Sequence, residues 1–250
     1  MSGHNRWTKI KRYKEAQGAA KGKLFTKLIK EITVSARIGG GDVNGNARLR
    51  AAIDAAKDAN MPSENITRAI KKGTGELEGV NYEEALYEGY GPGGVAMLVE
   101  CLTDNKHRTA GDVRSSFVKG GGRLAVEGAV SWVFERRGII EVKPGPTEDE
   151  VMEAAIEAGA EDVVSGEEPD GVHEIYGTQD SFNSVREALE KRFKLGARRL
   201  TYVPKDSVKI QDAERAKSML KLMDLLEDLD DVQNIHANFE IDDKLLEALA

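Results

Sequence analysis

The residues best suited to chemistry lie at the start of the chain, where cations are interleaved with aromatic side chains. The first 37 residues, here called the basic head, hold ten Lys and Arg and only two acids, a net charge of +8. The whole chain carries −7, so residues 38–250 carry −15. Cations contact phosphates and aromatic rings stack on bases, so Trp7, Tyr13 and Phe25 in the head favour nucleic-acid binding. A lysine-rich, solvated helix face is the alternative interpretation.

Cations at two predicted helix ends extend the candidate binding surface beyond the basic head. Lys71 and Lys72 end one helix, where they equally suit the negative end of the helix dipole. Arg108 lies near the start of another helix, where backbone N–H groups attract anions. We therefore predict nucleic-acid contacts from the following residues: Arg6, Trp7, Lys9, Lys11, Arg12, Lys14, Lys21, Lys23, Lys27, Lys30, Lys71, Lys72 and Arg108.

No motif in the chain predicts a catalytic, metal or cofactor site. The glycines of Gly89–Gly94 spell G-x-G-x-x-G, but a strand pattern follows them, so we interpret them as a tight connection between two strands. The four histidines and the single Cys101 share no metal-ligand spacing. We expect a protein without a cofactor and without enzyme activity. A carboxylate-dependent hydrolase remains an alternative, which would require a cluster of acids with perturbed pKa values.

The composition indicates a globular protein. The chain is 40% apolar and 32% charged, and no stretch of 18 apolar residues predicts a membrane span. Cys101 lies in an apolar run and is predicted to be a buried strand residue. One cysteine allows no disulfide within the chain, which agrees with a reducing compartment.

Apolar periodicity predicts a small helical bundle at the N-terminal end. Leu24, Leu28 and Ile32 recur every four residues in a helix over 21–38, which the glycines after it stop. A second helix is predicted over 46–60. A third is predicted to be capped by Ser63 and to end before Gly73.

Beyond residue 79 the pattern changes to short strands and helices. Strands are predicted at 85–90, 95–102 and 130–134, with a helix over 107–119. Residues 136–204 follow the order β-α-β-β-α-β, which is the ferredoxin-like arrangement. The strand and helix patterns after residue 205 would complete a second sandwich with residues 80–135.

We therefore predict an α+β fold with an N-terminal helical bundle and two ferredoxin-like α/β sandwich domains, one inserted in the other. The predicted domains are residues 1–79, residues 80–135 with 205–250, and the acidic inserted residues 136–204.

Blocks of sequence along nearly the whole chain resemble the YebC/PmpR family. Several of the blocks are long, which makes the resemblance specific. The matching blocks are Met1–Trp7, Ile10–Lys11, Gly22–Ile32, Asn60–Pro62, Arg68–Gly73, Tyr87–Gly94, Thr103–Asn105 and Arg108–Thr109. The resemblance implies a cytoplasmic protein of bacterial type with a helical N-terminal domain and two α/β domains, one inserted in the other.

The resemblance also implies two alternative functions. The family is generally assigned as probable transcriptional regulators that bind DNA. Some members act instead on the ribosome and help translation through proline-rich stretches, which implies ribosomal RNA as the partner. The sequence shows no helix suited to reading base edges in a duplex. A lysine-rich arm that carries Trp7 and Tyr13 can instead thread into folded RNA and stack on exposed bases, so the residues themselves favour RNA. The oligomeric state is left open, with a monomer as one option.

Overall fold

This computed structural model describes residues 20–165, residues 171–241 and Leu245, and only the backbone of Ala20 and Lys21. Contacts divide the chain into two compact units, residues 134–203 and the residues on both sides of them. Helices and antiparallel sheets confirm the predicted α+β class and the helical N-terminal region. The further division of the flanking residues into a helical and a middle domain stays a prediction.

The described residues form seven α-helices and ten strands, of which the short strand Arg123–Leu124 was not predicted from the sequence. The helices are α1 (Ala20–Gly39), α2 (Ala47–Asp58), α3 (Ser63–Thr74), α4 (Lys106–Lys119), α5 (Glu148–Glu157), α6 (Phe182–Glu190) and α7 (Ala213–Glu227). The strands are β1 (Glu83–Tyr90), β2 (Ala96–Thr103), β3 (Arg123–Leu124), β4 (Phe134–Val142), β5 (Asp162–Val164), β6 (His173–Thr178), β7 (Leu195–Pro204), β8 (Val208–Ile210), β9 (Val232–Ala237) and β10 (Phe239–Ile241).

Helices α1, α2 and α3 form the predicted bundle around a small apolar core. Ile32 of α1 packs with Leu49 and Ile53 of α2 and with Ile66 of α3, and all four are buried. The side chain of Asn46 accepts a hydrogen bond from the backbone N–H of Leu49, which starts α2. Helix α1 spans Ala20–Gly39 against the predicted 21–38, so the fourfold apolar spacing located it correctly.

Both predicted ends of α3 were wrong. Ser63 is the first helical residue rather than the cap, and Pro62 precedes the helix without a side-chain cap. The helix continues through Gly73 and ends at Thr74, and Gly75 after it has a left-handed backbone with φ of 83°. A Cβ atom on Gly73 would lie 2.4 Å from the carbonyl oxygen of Thr33 in α1. Close helix packing therefore explains Gly73, which the sequence suggested as a helix stop.

The middle sheet has the order β3-β1-β2-β9, with every neighbouring pair antiparallel. Helices α4 and α7 pack on one face, where Met97 and Val99 of β2 meet Phe117 of α4 and Leu222 of α7. Cys101 of β2 is buried, as predicted, and burial raises its pKa to about 12. A separate parallel pair joins β8 to β10.

The turn between β1 and β2 confirms the interpretation of the glycine motif. Pro92–Gly94 form a single 3₁₀ turn, in which Gly93 and Gly94 have φ of 78° and 81°. Only glycine adopts these values without strain. The motif connects two antiparallel strands and does not open a helix.

The predicted strand over 130–134 was wrong. Ser131–Val133 form a 3₁₀ turn, and β4 begins only at Phe134. The buried carboxylate of Glu88 accepts hydrogen bonds from three backbone N–H groups, of Gly128, Val130 and Ser131, at 2.7, 2.6 and 2.9 Å. These contacts curl the backbone, so they override the strand propensity of Val130 and its neighbours.

The unit of residues 134–203 has the predicted ferredoxin-like topology. Its sheet has the order β5-β6-β4-β7, and α5 and α6 cover one face. Ile140 and Ile175 of the sheet pack against Val151 of α5 and Leu189 of α6. Thr147 and Glu150 form a capping box at the start of α5.

Candidate nucleic-acid interface

Three lysines of α1 contact an acidic segment near the other end of the chain. Lys23, Lys27 and Lys30 are spaced four and three residues apart, which places them on one side of the helix. Lys23 Nζ lies 2.7 Å from Asp228 Oδ1, and Lys27 Nζ lies 3.3 Å from the carbonyl oxygen of Glu227. These predicted phosphate contacts therefore have acceptors within the protein.

Lys30 and Asp231 form a buried ion pair at the centre of this contact. Lys30 Nζ donates to Asp231 Oδ1 at 2.7 Å, and their side chains are only 8% and 11% exposed. The other carboxylate oxygen accepts from Arg108 at 2.6 Å, from Thr109 at 2.8 Å and from Thr103 at 3.1 Å. Asp231 thus joins α1 to the start of α4.

The pKa of Asp231 reflects these donors. Burial alone would raise it, but hydrogen bonds from Lys30, Arg108 and Thr109 outweigh burial and lower the pKa to about 2. The carboxylate therefore stays charged and keeps Lys30 paired. Lys30 is thus a structural cation rather than an exposed phosphate contact. Arg108 pairs with both Asp231 and Asp104, although half of its side chain is exposed.

The lysines at the end of α3 have a different environment. Lys71 and Lys72 are exposed, and no ion pair or hydrogen bond joins either ammonium to another residue that the structure describes. Arg68, one turn earlier, pairs with Glu64. Lys21 lies in α1, and its side chain is not described. The other predicted contacts lie outside the described residues: Arg6, Trp7, Lys9, Lys11, Arg12 and Lys14.

A cluster of aromatic and cationic side chains, which the sequence reasoning missed, combines Trp132 on the loop between β3 and β4 with Tyr90 of β1 and Arg123 of β3. The indole N–H of Trp132 and the hydroxyl of Tyr90 both donate to the carbonyl oxygen of Ala129, each at 3.1 Å. The guanidinium of Arg123 lies 4.8 Å from the centre of the Tyr90 ring. Trp132 is nevertheless 70% exposed. No local sequence pattern indicates this exposure, because Trp132 stands between Val130 and Val133, which are both buried.

The shifted carboxyl groups do not resemble those of a general acid. Glu83, Glu88, Glu150, Asp212 and Asp231 all have pKa values below the ordinary range. For Glu88, burial raises the pKa, but the three backbone N–H donors outweigh it. Each of these carboxylates accepts hydrogen bonds that fix local structure or an ion pair. A general acid in a hydrolase requires the opposite shift.

Residues 20–165 and 171–241 contain neither a metal-binding cluster nor a helix that could span a membrane. No group of three or more His, Cys, Asp or Glu side chains in these ranges is arranged to hold a metal ion. No described helix has both the length and the apolar character that crossing a bilayer requires.

Comparison with known proteins gives matches along the whole chain. Residues 5–76 match the TACO1/YebC protein N-terminal domain, and residues 82–239 match the TACO1/YebC second and third domain. A probable transcriptional regulatory protein of Myxococcus xanthus is 56% identical over 100% of this chain and 99% of its own. One from Geobacter sulfurreducens is also 56% identical, over 100% of both chains.

A solved structure is also similar. The crystal structure of a conserved hypothetical protein from Aquifex aeolicus is 51% identical, with a TM-score of 0.83. The similarity covers 90% of this chain and 93% of the Aquifex chain.

Proposed function

Because the chain belongs to the TACO1/YebC family, we propose that it regulates gene expression by binding nucleic acid, without catalysing a reaction. The names of the Myxococcus and Geobacter relatives support the regulatory role. A regulator of this kind must share a compartment with its nucleic acid, and we propose the cytoplasm.

The observation that carries the proposal is the uneven charge of the chain. The basic head has a net charge of +8 and the remaining residues have −15. A polyanion is attracted to the head and repelled by the rest of the protein, which orients the encounter. The described lysines of α1 already contact the acidic segment, so the excess charge that remains for a partner lies earlier in the head.

We assign the phosphate contacts accordingly. Lys23, Lys27 and Lys30 are withdrawn from the proposed interface because they bind protein acceptors, and Arg108 is withdrawn because Asp231 and Asp104 hold it. The proposed interface consists of Arg6, Trp7, Lys9, Lys11, Arg12, Lys14 and Lys21 in the head, with Lys71 and Lys72 at the end of α3.

Duplex DNA is the partner that the relatives' names suggest, and ribosomal RNA is the second candidate. The exposed ring of Trp132 favours RNA, because unpaired bases in RNA loops are open to stacking while bases inside a duplex are not. Under this second function the protein is a translation factor that binds the ribosome.

A charge-removal variant tests the proposed interface. Changing Lys9, Lys11, Arg12 and Lys14 together to Ala should lower the affinity for RNA or DNA more than tenfold at low salt. Each lost phosphate contact should also flatten the plot of log affinity against log salt by about 0.7–0.9 units. The matched control changes four exposed lysines elsewhere to Ala: Lys191, Lys194, Lys205 and Lys209. If the two variants bind nucleic acid with equal affinity, the basic head is not part of the interface.

Sedimentation of a lysate through a sucrose gradient then separates the two partners. Comigration with ribosomal particles that is lost in the head variant supports the translation role. A protein that stays at the top of the gradient but is retained on immobilised duplex DNA supports transcriptional regulation.

A further inference from the structure

We propose that Trp132, Tyr90 and Arg123 form a second binding site, which takes an unpaired base of single-stranded RNA. This inference rests on the proposed nucleic-acid function and adds a contact that lies outside the basic head. In this site the base stacks on the exposed indole face, and the guanidinium of Arg123 contacts the neighbouring phosphate.

The first argument is the exposure of a large aromatic ring. Trp132 is 70% exposed, and Val126 on the same loop is 79% exposed. A free indole face of this size is costly in water unless something covers it. The polar edge of the ring is already satisfied, because the indole N–H donates to the Ala129 carbonyl oxygen. What the ring still offers a partner is therefore its flat face.

The second argument is the rigidity of the loop that presents the ring. The Glu88 carboxylate binds the backbone N–H groups of Gly128, Val130 and Ser131, and the backbone N–H of Ala125 donates to the Glu88 carbonyl oxygen. Tyr90 adds a further hydrogen bond to the same loop through Ala129. Binding therefore costs little conformational entropy, because the loop backbone is already fixed and the hydrogen bond to Ala129 restrains the indole ring.

The third argument is the chemistry beside the ring. The guanidinium of Arg123 stacks on the ring of Tyr90. The hydroxyl of Tyr90 and the indole N–H of Trp132 both donate to the Ala129 carbonyl oxygen, so a cation and two aromatic rings lie side by side. A guanidinium beside the exposed indole of Trp132 and the half-buried ring of Tyr90 matches a nucleotide, which has an anionic phosphate next to a planar base. An apolar peptide would leave the Arg123 charge without a counterpart.

The experiment measures binding of full-length variants to a single-stranded RNA 12-mer and to the same strand annealed as a duplex. Trp132→Ala removes the stacking face, and Trp132→Phe keeps an aromatic face. Val126→Ala is the matched control, since it removes an exposed apolar side chain from the same loop without removing a ring. Melting temperatures should stay unchanged, because both side chains are largely exposed.

We expect Trp132→Ala to weaken binding of the single strand by about fivefold to a hundredfold, the range for loss of one stacked base. Trp132→Phe and Val126→Ala should bind nearly as the unaltered protein does, and binding of the duplex should not change. Unaltered binding of the single strand by Trp132→Ala would overturn the proposal. Equal losses from Trp132→Ala and Val126→Ala would also overturn it, because they would indicate apolar contact instead of stacking.

Fluorescence supplies an independent measurement. The chain has two tryptophans, so a Trp7→Phe variant leaves Trp132 as its only indole. Saturable quenching by the single strand is expected, and absence of quenching at saturation would contradict the stacking.

The head variant distinguishes failure of this inference from failure of the proposed function. If the head makes the phosphate contacts, its four substitutions weaken binding of both RNA probes, whereas Trp132→Ala weakens only the single strand. If the head variant binds RNA normally while Trp132→Ala binds the single strand more weakly, the proposed head interface is refuted and the Trp132 site is retained.

Discussion

The lysines of α1 and the lysines of α3 have the same chemistry but different environments. Lys30 is buried against Asp231, while Lys71 and Lys72 are exposed and have no partner among the described residues. Both sets were predicted to bind phosphates. The difference shows that the environment of a lysine, and not its presence in a basic run, determines whether it is available to a partner.

The acidic segment 227–231 creates this difference. It supplies an acceptor to Lys23, to Lys27 and to Lys30, so it neutralises one side of α1. At the end of α3 the one acid in contact, Glu76, accepts from Thr74, and no acid among the described residues pairs with Lys71 or Lys72. The following predictions separate structural cations from binding cations, from the largest expected effect to the smallest.

Asp231→Ala should cause the largest loss of stability. It leaves the buried ammonium of Lys30 without its carboxylate, and breaking a buried pair by removing one partner costs about 3–5 kcal/mol. The matched control is Asp228→Ala, three residues earlier in the same segment. Its pair with Lys23 is exposed, so about 0.2–1 kcal/mol is expected. Urea unfolding measures both, and equal costs would show that burial does not separate the two pairs.

The same carboxylate should produce a pH dependence in acid. The pKa of Asp231 is about 2 in the folded protein, below the ordinary value of 3.8 for an aspartate. Folding therefore favours the charged form of this carboxylate. Its contribution to stability is complete above pH 3.8 and is lost as the pH falls towards 2. The stability difference between the unaltered protein and Asp231→Asn should therefore shrink over this interval. A constant difference would show that Asp231 does not titrate there.

The third prediction concerns binding rather than stability. Changing Lys71 and Lys72 together to Ala should alter the unfolding free energy by less than about 0.5 kcal/mol, as for most exposed sites. The same change should reduce the salt slope of nucleic-acid binding by about 1.4–1.8 units if each lysine contacts one phosphate. The control, Lys23 and Lys27 changed together to Ala, should leave that slope unchanged. A larger effect of the control would place the interface on α1 instead.

Local sequence patterns were sufficient to predict most elements. The fourfold spacing of Leu24, Leu28 and Ile32 predicted α1, and the split β-α-β order predicted the inserted unit. The errors occurred where distant contacts decide the backbone. Glu88 curls the chain around Ser131, and the approach of Thr33 in α1 explains why Gly73 lies inside a helix.

The candidate site was less predictable than the fold for the same reason. Lys30 and Asp231 are separated by 201 residues in the sequence, so no local pattern reveals that they pair. Trp132 was assigned to a strand, because its exposure depends on a loop that Glu88 holds in place. Charge and residue type can be read directly from a sequence, whereas burial requires the fold.

The pairing of Lys30 with Asp231 has a consequence for how the protein is made. Lys30 leaves the ribosome well before Asp231 is synthesised, and 201 residues at 5–20 per second take roughly 10–40 s. Throughout that interval the lysines of α1 lack the acidic segment, so a nascent or truncated chain exposes more positive charge than the finished protein. Completion of the C-terminal part therefore neutralises cations near the N-terminus, and this contact is among the last to form in each new molecule.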